Sequence, residues 1–514
     1  MERYFLGIDI GTFESRGILI DESFRVAADA SVPHGMDNPQ PGWFEQDAEA
    51  VWWGDLCKLC RTLIKQSEIR PEQIACVGTS ALGTDCLPVD EQCRPLRPAI
   101  LYGIDARASE EAAWLTEHYG RARVQELFGH PICSGDTATK ILWLRRHEPE
   151  IYAKTAYFLT GSSFLTARLT GKYVIDQALA KGSFRPLYQA DGSVNEAECG
   201  LYCRPDQIAA CAWSTDIVGT VTPEAAAQTG LATGTPVITG TGDSTAEAIS
   251  VGLVEPGTAF FQYGSSMFYY YCTDHFVGSY VSPQGNGALK GGKAFTVPGT
   301  YCLGDGTNAA GTLTRWVRDL LYSKELEAEK QGGENAYAVM AREAAAVPPG
   351  SDGLIMLPYI YGERSPLQDA EATGMLFGLK GTHGRAQINR AALEAVGYST
   401  YQHLLLFEEL GVPPRRIITA GGGTKNAAWM QIICDMAGMP LTIPEPFQCS
   451  SYGDAMLAAL GVGALESFAA LRAALPQGRI LQPDRKNHEF YQEHYPIFRD
   501  LYLENRDRMH RMQK

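Results

Sequence analysis

The chain has 514 residues, too many for one ordinary core, so length alone favours two or more domains of mixed architecture. With 45% hydrophobic and 20% charged residues it has the composition of a folded globular protein, which argues against disorder and fibrous repeats. A formal net charge of -15, with no basic run to reverse it locally, argues against nucleic acid and anionic membranes as partners, although backbone N–H groups can still hold an anionic ligand in one pocket.

The opening MERYFLGIDIGT carries Asp9 inside its first apolar stretch and has no small-residue cleavage site, so no signal peptide is expected and the expected compartment is the cytoplasm. No run of about 18 apolar residues suggests a membrane span. The segment YFLGIDIGTFESRGILIDE reads as strand, glycine turn, strand. VWWGDLCKLCRTLIK reads as a helix whose Cys57 and Cys60 are small apolar residues, since no second pair at zinc spacing accompanies them. The 13 cysteines fit reduced thiols better than a disulfide framework. IACVGTSALGTDCLPVD suggests a pair of strands, and RPAILYGIDARASEEAAWL a strand leading into a helix begun near Ser109.

TPVITGTGDSTAEAISVGL then gives an apolar strand, a GTGDS turn and a helix, and TAFFQYGSSMFYYYCTD a second glycine hairpin. RRIITAGGGTKNAAWMQIICDMAG runs from a strand through three glycines into a helix, with Trp429, Ile432, Ile433 and Met436 on one face. Beyond about residue 465 the chain turns charged and helical, which reads as surface helix rather than chemistry. Alternating strands and helices predict an α/β protein.

Glycine turns let backbone N–H groups approach phosphate oxygens where a Cβ would clash, and neighbouring hydroxyls add donors. Gly7, Gly11, Thr12, Gly264, Ser265 and Ser266 have that composition, and each turn by itself is equally a plain hairpin. Asp9, between apolar residues, needs a partner: a hydrated magnesium ion on the functional reading, solvent or Arg16 on the plainer one. Asp243, in a glycine-rich turn between strand and helix, suits a general base for phosphoryl transfer to an alcohol. The alternative, Asp243 as a helix cap, competes with a capping box written by Ser244 and Glu247. Gly421, Gly422 and Gly423, followed by Thr424, Lys425 and Asn426, present a flat backbone suited to adenine and ribose, or a tight connection only. Neither a P-loop nor a Rossmann fingerprint is present.

These motifs together resemble the FGGY carbohydrate kinases over nearly the whole chain. GIDIGTFESR is similar to that family's first phosphate motif, GTGDSTAEAISVG to its catalytic-Asp motif, YGSS to its second phosphate motif and TAGGGTKNAAWMQIICDMAG to its adenosine motif. TATKILWLRRHE and GMLFGLKGTHGRAQINRAALEAVGYS, with Gln387, Ala391 and Glu394, resemble its longer signatures. The resemblance implies an actin/hexokinase-like fold of two ribonuclease-H-like domains around a catalytic cleft, drawn here as 1–248, 249–480 and a helical tail 481–514 packed on the second domain. It implies Asp243 as base and Mg2+ bound through Asp9 with Asp243. It assigns Gly11, Thr12, Arg16, Gly264, Ser265 and Ser266 to the phosphates, and Gly311, Gly421, Gly422 and Asn426 to the rest of ATP.

In the sugar loop, Leu82, Gly83, Thr84 and Asp85 keep neither the Gln-Met-His-Gly usual in xylulokinases nor the Arg-Glu pair of glycerol kinases. Thr84 and Asp85 are expected on sugar hydroxyls, each with a bland loop reading beside it. Asp105 is expected at the substrate, acting with Arg107 through an ion pair that orients the loop. The expected ligands are ATP, Mg2+ and a small sugar or polyol, with a ketopentose such as D-xylulose leading and glycerol, gluconate, ribulose or erythritol as alternatives; a homodimer is the expected assembly. An actin- or chaperone-like ATPase switch and a non-catalytic sugar sensor are the readings from other classes.

Overall fold

A computed structural model describes residues 2–445 and 448–513. It divides into two compact units: residues 1–254, 293–301 and 446–475 form the first, and residues 255–292, 302–445 and 476–514 the second. The boundaries expected from the sequence need correction here. The first unit runs past 248 and reclaims two later segments, because the helix Ser450–Gly461 lies on the sheet of the first unit rather than of the second.

The first hairpin forms as its alternation predicts: Tyr4–Ile10 pairs antiparallel with Glu14–Asp21, which pairs antiparallel with Val26–Pro33. On its other edge Tyr4–Ile10 runs parallel to Ile74–Ala81, which is followed by Pro236–Ile238 and then Ile217–Thr220. The expected strand pair Ile74–Ala81 and Leu87–Val89 is instead two strands in different sheets, the second bonded to Tyr157–Leu159. The helix Gly54–Ser67 covers one face, seating Leu59 and Leu63 over Gly17 and burying Cys57 and Cys60, the thiol of Cys57 pushed up to about 11 by that burial. The helix Ser450–Gly461 covers the opposite face. A Cβ at Gly7 would stand 1.9 Å from the Ser451 carbonyl, and one at Gly78, its neighbour across the parallel pair, 2.4 Å from the Asp454 carbonyl. These two glycines make a saddle in which a helix backbone can lie directly on the sheet.

The second unit repeats the plan. Thr258–Tyr263 and Met267–Thr273 form the second antiparallel hairpin, extended by Tyr301–Gly306, while Arg416–Ala420 and Leu441–Ile443 add in parallel beyond Thr258–Tyr263. Both units share the ribonuclease-H-like plan, third, second and first strands side by side and then two parallel strands, and in the first unit the edge strand Ile217–Thr220 precedes its neighbour Pro236–Ile238 in the chain. The terminal helix Arg485–Met512 does more than cover a surface: Tyr491, Tyr495, Phe498, Leu501 and Tyr502 are buried in the second unit's core, and Tyr491 Oη donates to Glu394 at 2.8 Å. Among the described residues no helix is long and apolar enough to cross a membrane.

Candidate active site

In the first unit the turn after Tyr4–Ile10 is closed by a bond from Gly11 N–H to the Glu14 carbonyl (3.1 Å), and the Gly11 carbonyl is held by His34 Nε2 (3.0 Å). Thr12 Oγ1 shares a hydrogen bond with Tyr102 Oη at 3.1 Å. Arg16 stands opposite Asp9 in the hairpin register and is 3.5 Å from Asp29.

Asp9 ends up half-buried beside Ser80, whose Oγ lies 2.8 Å from Asp9 Oδ1. Burial first, and then the charge of Asp243, push the Asp9 carboxyl well above the ordinary range. Asp243 opens the helix Asp243–Ser250 directly after the short strand Thr241–Gly242, which lies parallel to the end of Ile74–Ala81. Its Oδ1 accepts the Ser244 N–H at 2.6 Å, and burial raises its carboxyl to about 6. The turn is anchored by Thr241 Oγ1, which donates to buried Asp176 at 2.8 Å. The N-cap is Gly242, two residues before the Ser244 expected there, and it carries no side-chain cap.

Both carboxylates are half-buried and the charge of Asp243 raises the cost of ionising Asp9, which a cation beside them would offset, and the donor set is all oxygen. Asp9 and Asp243 therefore fit Mg2+.

Lys140 holds the loop that carries Thr84 and Asp85. Fully buried on the helix Thr137–His147, it donates to the carbonyls of Thr84 (2.5 Å) and Gly135 (3.0 Å). Thr84 stays half-buried. Asp85 points the other way: it is 0% exposed, one oxygen accepts the Gly161 N–H at 3.0 Å, and burial raises the carboxyl to about 7. Asp85 is thus corrected from a sugar contact to an internal brace. Asp105 forms the expected ion pair with Arg107. Its carboxylate, 1% exposed, takes Arg107 in a fork at 2.9 and 2.8 Å and the Phe44 N–H at 2.7 Å, while the Arg107 guanidinium stacks on Trp43 and Trp143.

In the second unit the hairpin tip Gly264–Ser265 is clamped onto the start of the helix Gly311–Leu321. Gly311 N–H donates to the Gly264 carbonyl (3.0 Å), and Ala310 N–H and Thr312 N–H donate to that of Ser265 (3.0 and 2.9 Å). A Cβ at Gly311 would lie 2.5 Å from the Gly264 carbonyl, so only glycine fits. Gly421 has φ +92° and its absent Cβ would strike the Tyr263 backbone; Ser266 sits half-buried at the hairpin's far side, its carbonyl accepting the Gly264 N–H at 2.9 Å. Asn426 caps the helix Ala427–Ala437 through the Trp429 N–H (3.0 Å). A cavity of about 520 Å³ opens beside Gly264, Ser265, Gly311, Gly422 and Asn426, within the range of small-ligand sites. Arg315, Asn335, Tyr337 and Trp429 line it too, and no motif announced the first three.

Residues 4–250 match the model of the FGGY family of carbohydrate kinases, N-terminal domain, and residues 263–462 that of the C-terminal domain. The chain belongs to the FGGY carbohydrate kinases. It is similar to the xylulose kinase of Escherichia coli (strain K12), 29% identical over 97% of this chain and 98% of that one, and to the gluconokinase of Bacillus subtilis (strain 168), 28% identical over 98% and 96%. The crystal structure of a xylulose kinase from Rhodospirillum rubrum superposes with a TM-score of 0.87 at 28% identity, covering 99% of this chain and 100% of that one. This FGGY kinase is accordingly an ATP-dependent phosphotransferase with an alcohol group as acceptor, on the actin/hexokinase-like fold.

The reading from sequence missed Asp454. It sits on the helix Ser450–Gly461, completely buried, with Oδ2 2.6 Å from Ser80 Oγ and Oδ1 without a hydrogen-bond partner. Burial and the Asp9 charge hold its carboxyl well above the ordinary range. The one available signal was a lone acid in an otherwise small and apolar helix, SSYGDAMLAALG.

Proposed function

We propose that this FGGY kinase phosphorylates a ketopentose, D-xylulose being the leading candidate, with Asp243 as general base. The observation that carries the reading is the position of Asp243: at a helix start, in the same unit as Asp9 and the Thr84 loop, with a carboxyl raised to about 6 and so able to accept an alcohol proton near neutral pH. In the reaction Asp243 takes the proton as the acceptor oxygen attacks the γ-phosphorus, and the phosphoryl group leaves ADP. Thr84, held by Lys140, orients the sugar, and Asp105 with Arg107 stiffens the layer behind it. The Thr12 amide, with the charge of Arg16, serves a phosphate, as do the amides of Ser265 and Ser266, while Gly11 and Gly264, whose own N–H groups close their turns, keep side chains out of the way. Gly311, Gly421, Gly422 and Asn426 shape the nucleoside side. Asp9 and Asp243 hold Mg2+, which when bound neutralises phosphate charge.

The ketopentose assignment is supported by relatives named xylulose kinase in Escherichia coli and Bacillus subtilis. An aldonate is the second reading, favoured by Lys293, whose charge reaches Asp243 and lowers its carboxyl, and by the gluconokinase relative. A panel of ketopentoses, aldonates and polyols, read by coupled ADP formation, tests both. Turnover of D-xylulose above all others supports the first. Turnover of an aldonate that is lost in Lys293→Met supports the second, and no sugar-dependent ADP release overturns the kinase assignment.

A further inference from the structure

Ser80 stands between two carboxyl groups, with its Oγ 2.8 Å from Asp9 Oδ1 and 2.6 Å from Asp454 Oδ2. Both are hydrogen-bond distances, and a serine hydroxyl has one proton, which cannot lie on both lines. One carboxyl must therefore supply the other proton. Asp9 is half-exposed and has Arg16 opposite it; Asp454 is 0% exposed, has no ion-pair partner among the described residues and leaves Oδ1 without a hydrogen-bond partner. An ion in the second place would be far more costly than in the first.

We infer that Asp454 is a neutral carboxylic acid at physiological pH and a positioning residue for the reaction, donating through Oδ2–H to Ser80 Oγ, which in turn donates to the Asp9 carboxylate. This fixes the direction of the Ser80 hydroxyl, commits Asp9 Oδ1 and leaves Asp9 Oδ2 for the phosphate-bound cation. The groups around the chain are of one kind: Asp9 from the first strand, Asp243 and Glu247 from the helix beneath, with Arg16 the cation that reaches Asp9. The charges of Asp9 and Asp243 favour a neutral Asp454. The fold is built to keep the link short. Gly7 and Gly78 let the Ser450–Gly461 helix touch the sheet, and Gly453, whose Cβ would stand 1.9 Å from the Ala246 carbonyl, lets it touch the Asp243 helix as well.

The role rests on the kinase reading above; the protonation does not, and the two are tested apart. An infrared difference spectrum of wild type minus Asp454→Asn at neutral pH should show the C=O stretch of a protonated acid that persists in Asp9→Asn. Its absence from the wild-type difference spectrum overturns the inference whatever the enzyme phosphorylates. In kinetics, Asp454→Ala and Ser80→Ala should lower kcat by about tenfold or more and raise the Mg2+ requirement, the scale of a lost hydrogen bond to a charged group. Asp454→Asn, whose amide can donate to Ser80 while carrying no charge, should recover most of that loss. An Asn variant as damaged as the Ala variant would mean that Asp454 works as an anion, and an undamaged Ala variant that it does no work; either result overturns the inference. Circular dichroism and thermal melting of each variant separate these outcomes from misfolding.

Discussion

At the scale of single residues, burial sorts the acids of this protein into different tasks. Asp243 and Asp9 keep the solvent access that the proposed chemistry needs, whereas Asp85, Asp105 and Asp454 are nearly or fully buried. Asp243→Asn should therefore cut kcat about a thousandfold or more while leaving the affinity for ATP within about twofold, because the nucleotide cavity belongs to other residues. Single-turnover kinetics and nucleotide titration check this; near-normal turnover would remove Asp243 as base.

His403 offers a second test at this scale. Fully buried, it accepts a hydrogen bond at Nε2 from Ser365 Oγ (2.9 Å) while Nδ1–H donates to the Ser399 carbonyl (2.7 Å), so the ring is neutral, and burial holds its pKa down at about 4. In the unfolded chain the same ring titrates near 6.5. On acidification the unfolded state takes up the proton first, so the contribution of His403 is present above pH 6.5 and disappears as the pH falls towards 4, by about 3 kcal/mol in all. His403→Gln should flatten that part of the denaturant-midpoint profile, and an unchanged slope between those pH values would contradict the assignment.

At the scale of elements, the two glycine hairpins, the Asp243 turn and the GGG turn were legible because each is punctuated locally: a period-two apolar run, then residues that only a turn or a close approach requires. What could not be read is what lies opposite a glycine. Gly311, expected from the family resemblance at the nucleotide, lines the cavity and is bonded to the Gly264 carbonyl, which no reading of the sequence supplies. Gly311→Ala would push a methyl group to 2.5 Å from the Gly264 carbonyl and tilt the hairpin tip, so the KM for ATP should rise about tenfold or more with the sugar KM unmoved. Parallel changes in both constants would show that the strain spreads beyond the nucleotide side. Thr84 and Asp85, adjacent polar residues in one loop, were indistinguishable on paper; only the Gly161 N–H, 76 residues on, decides which of them turns inward.

At the scale of the whole molecule, two units that each begin with an antiparallel glycine hairpin account for the spacing of the two hairpins along the chain, and this much followed from the motifs. The division itself did not, because residues 446–475 carry no turn motif and their assignment depends on Gly7 and Gly78, more than 350 residues earlier. A fragment of residues 1–254 should accordingly be insoluble or molten, and co-expression with a fragment carrying residues 255–514 should recover it. A well-folded isolated fragment with a sharp thermal transition would contradict this.

The late arrival of the Ser450–Gly461 helix also sets an order of events on the ribosome. The leading half of the protein emerges with its sheet face uncovered and waits for translation to reach residue 475, on the order of 10–40 s at ordinary elongation rates. During that interval the exposed glycine groove is a natural client for a chaperone. Synonymous codons that hasten or slow the stretch after residue 254 should change the yield of soluble enzyme without altering a single atom of it.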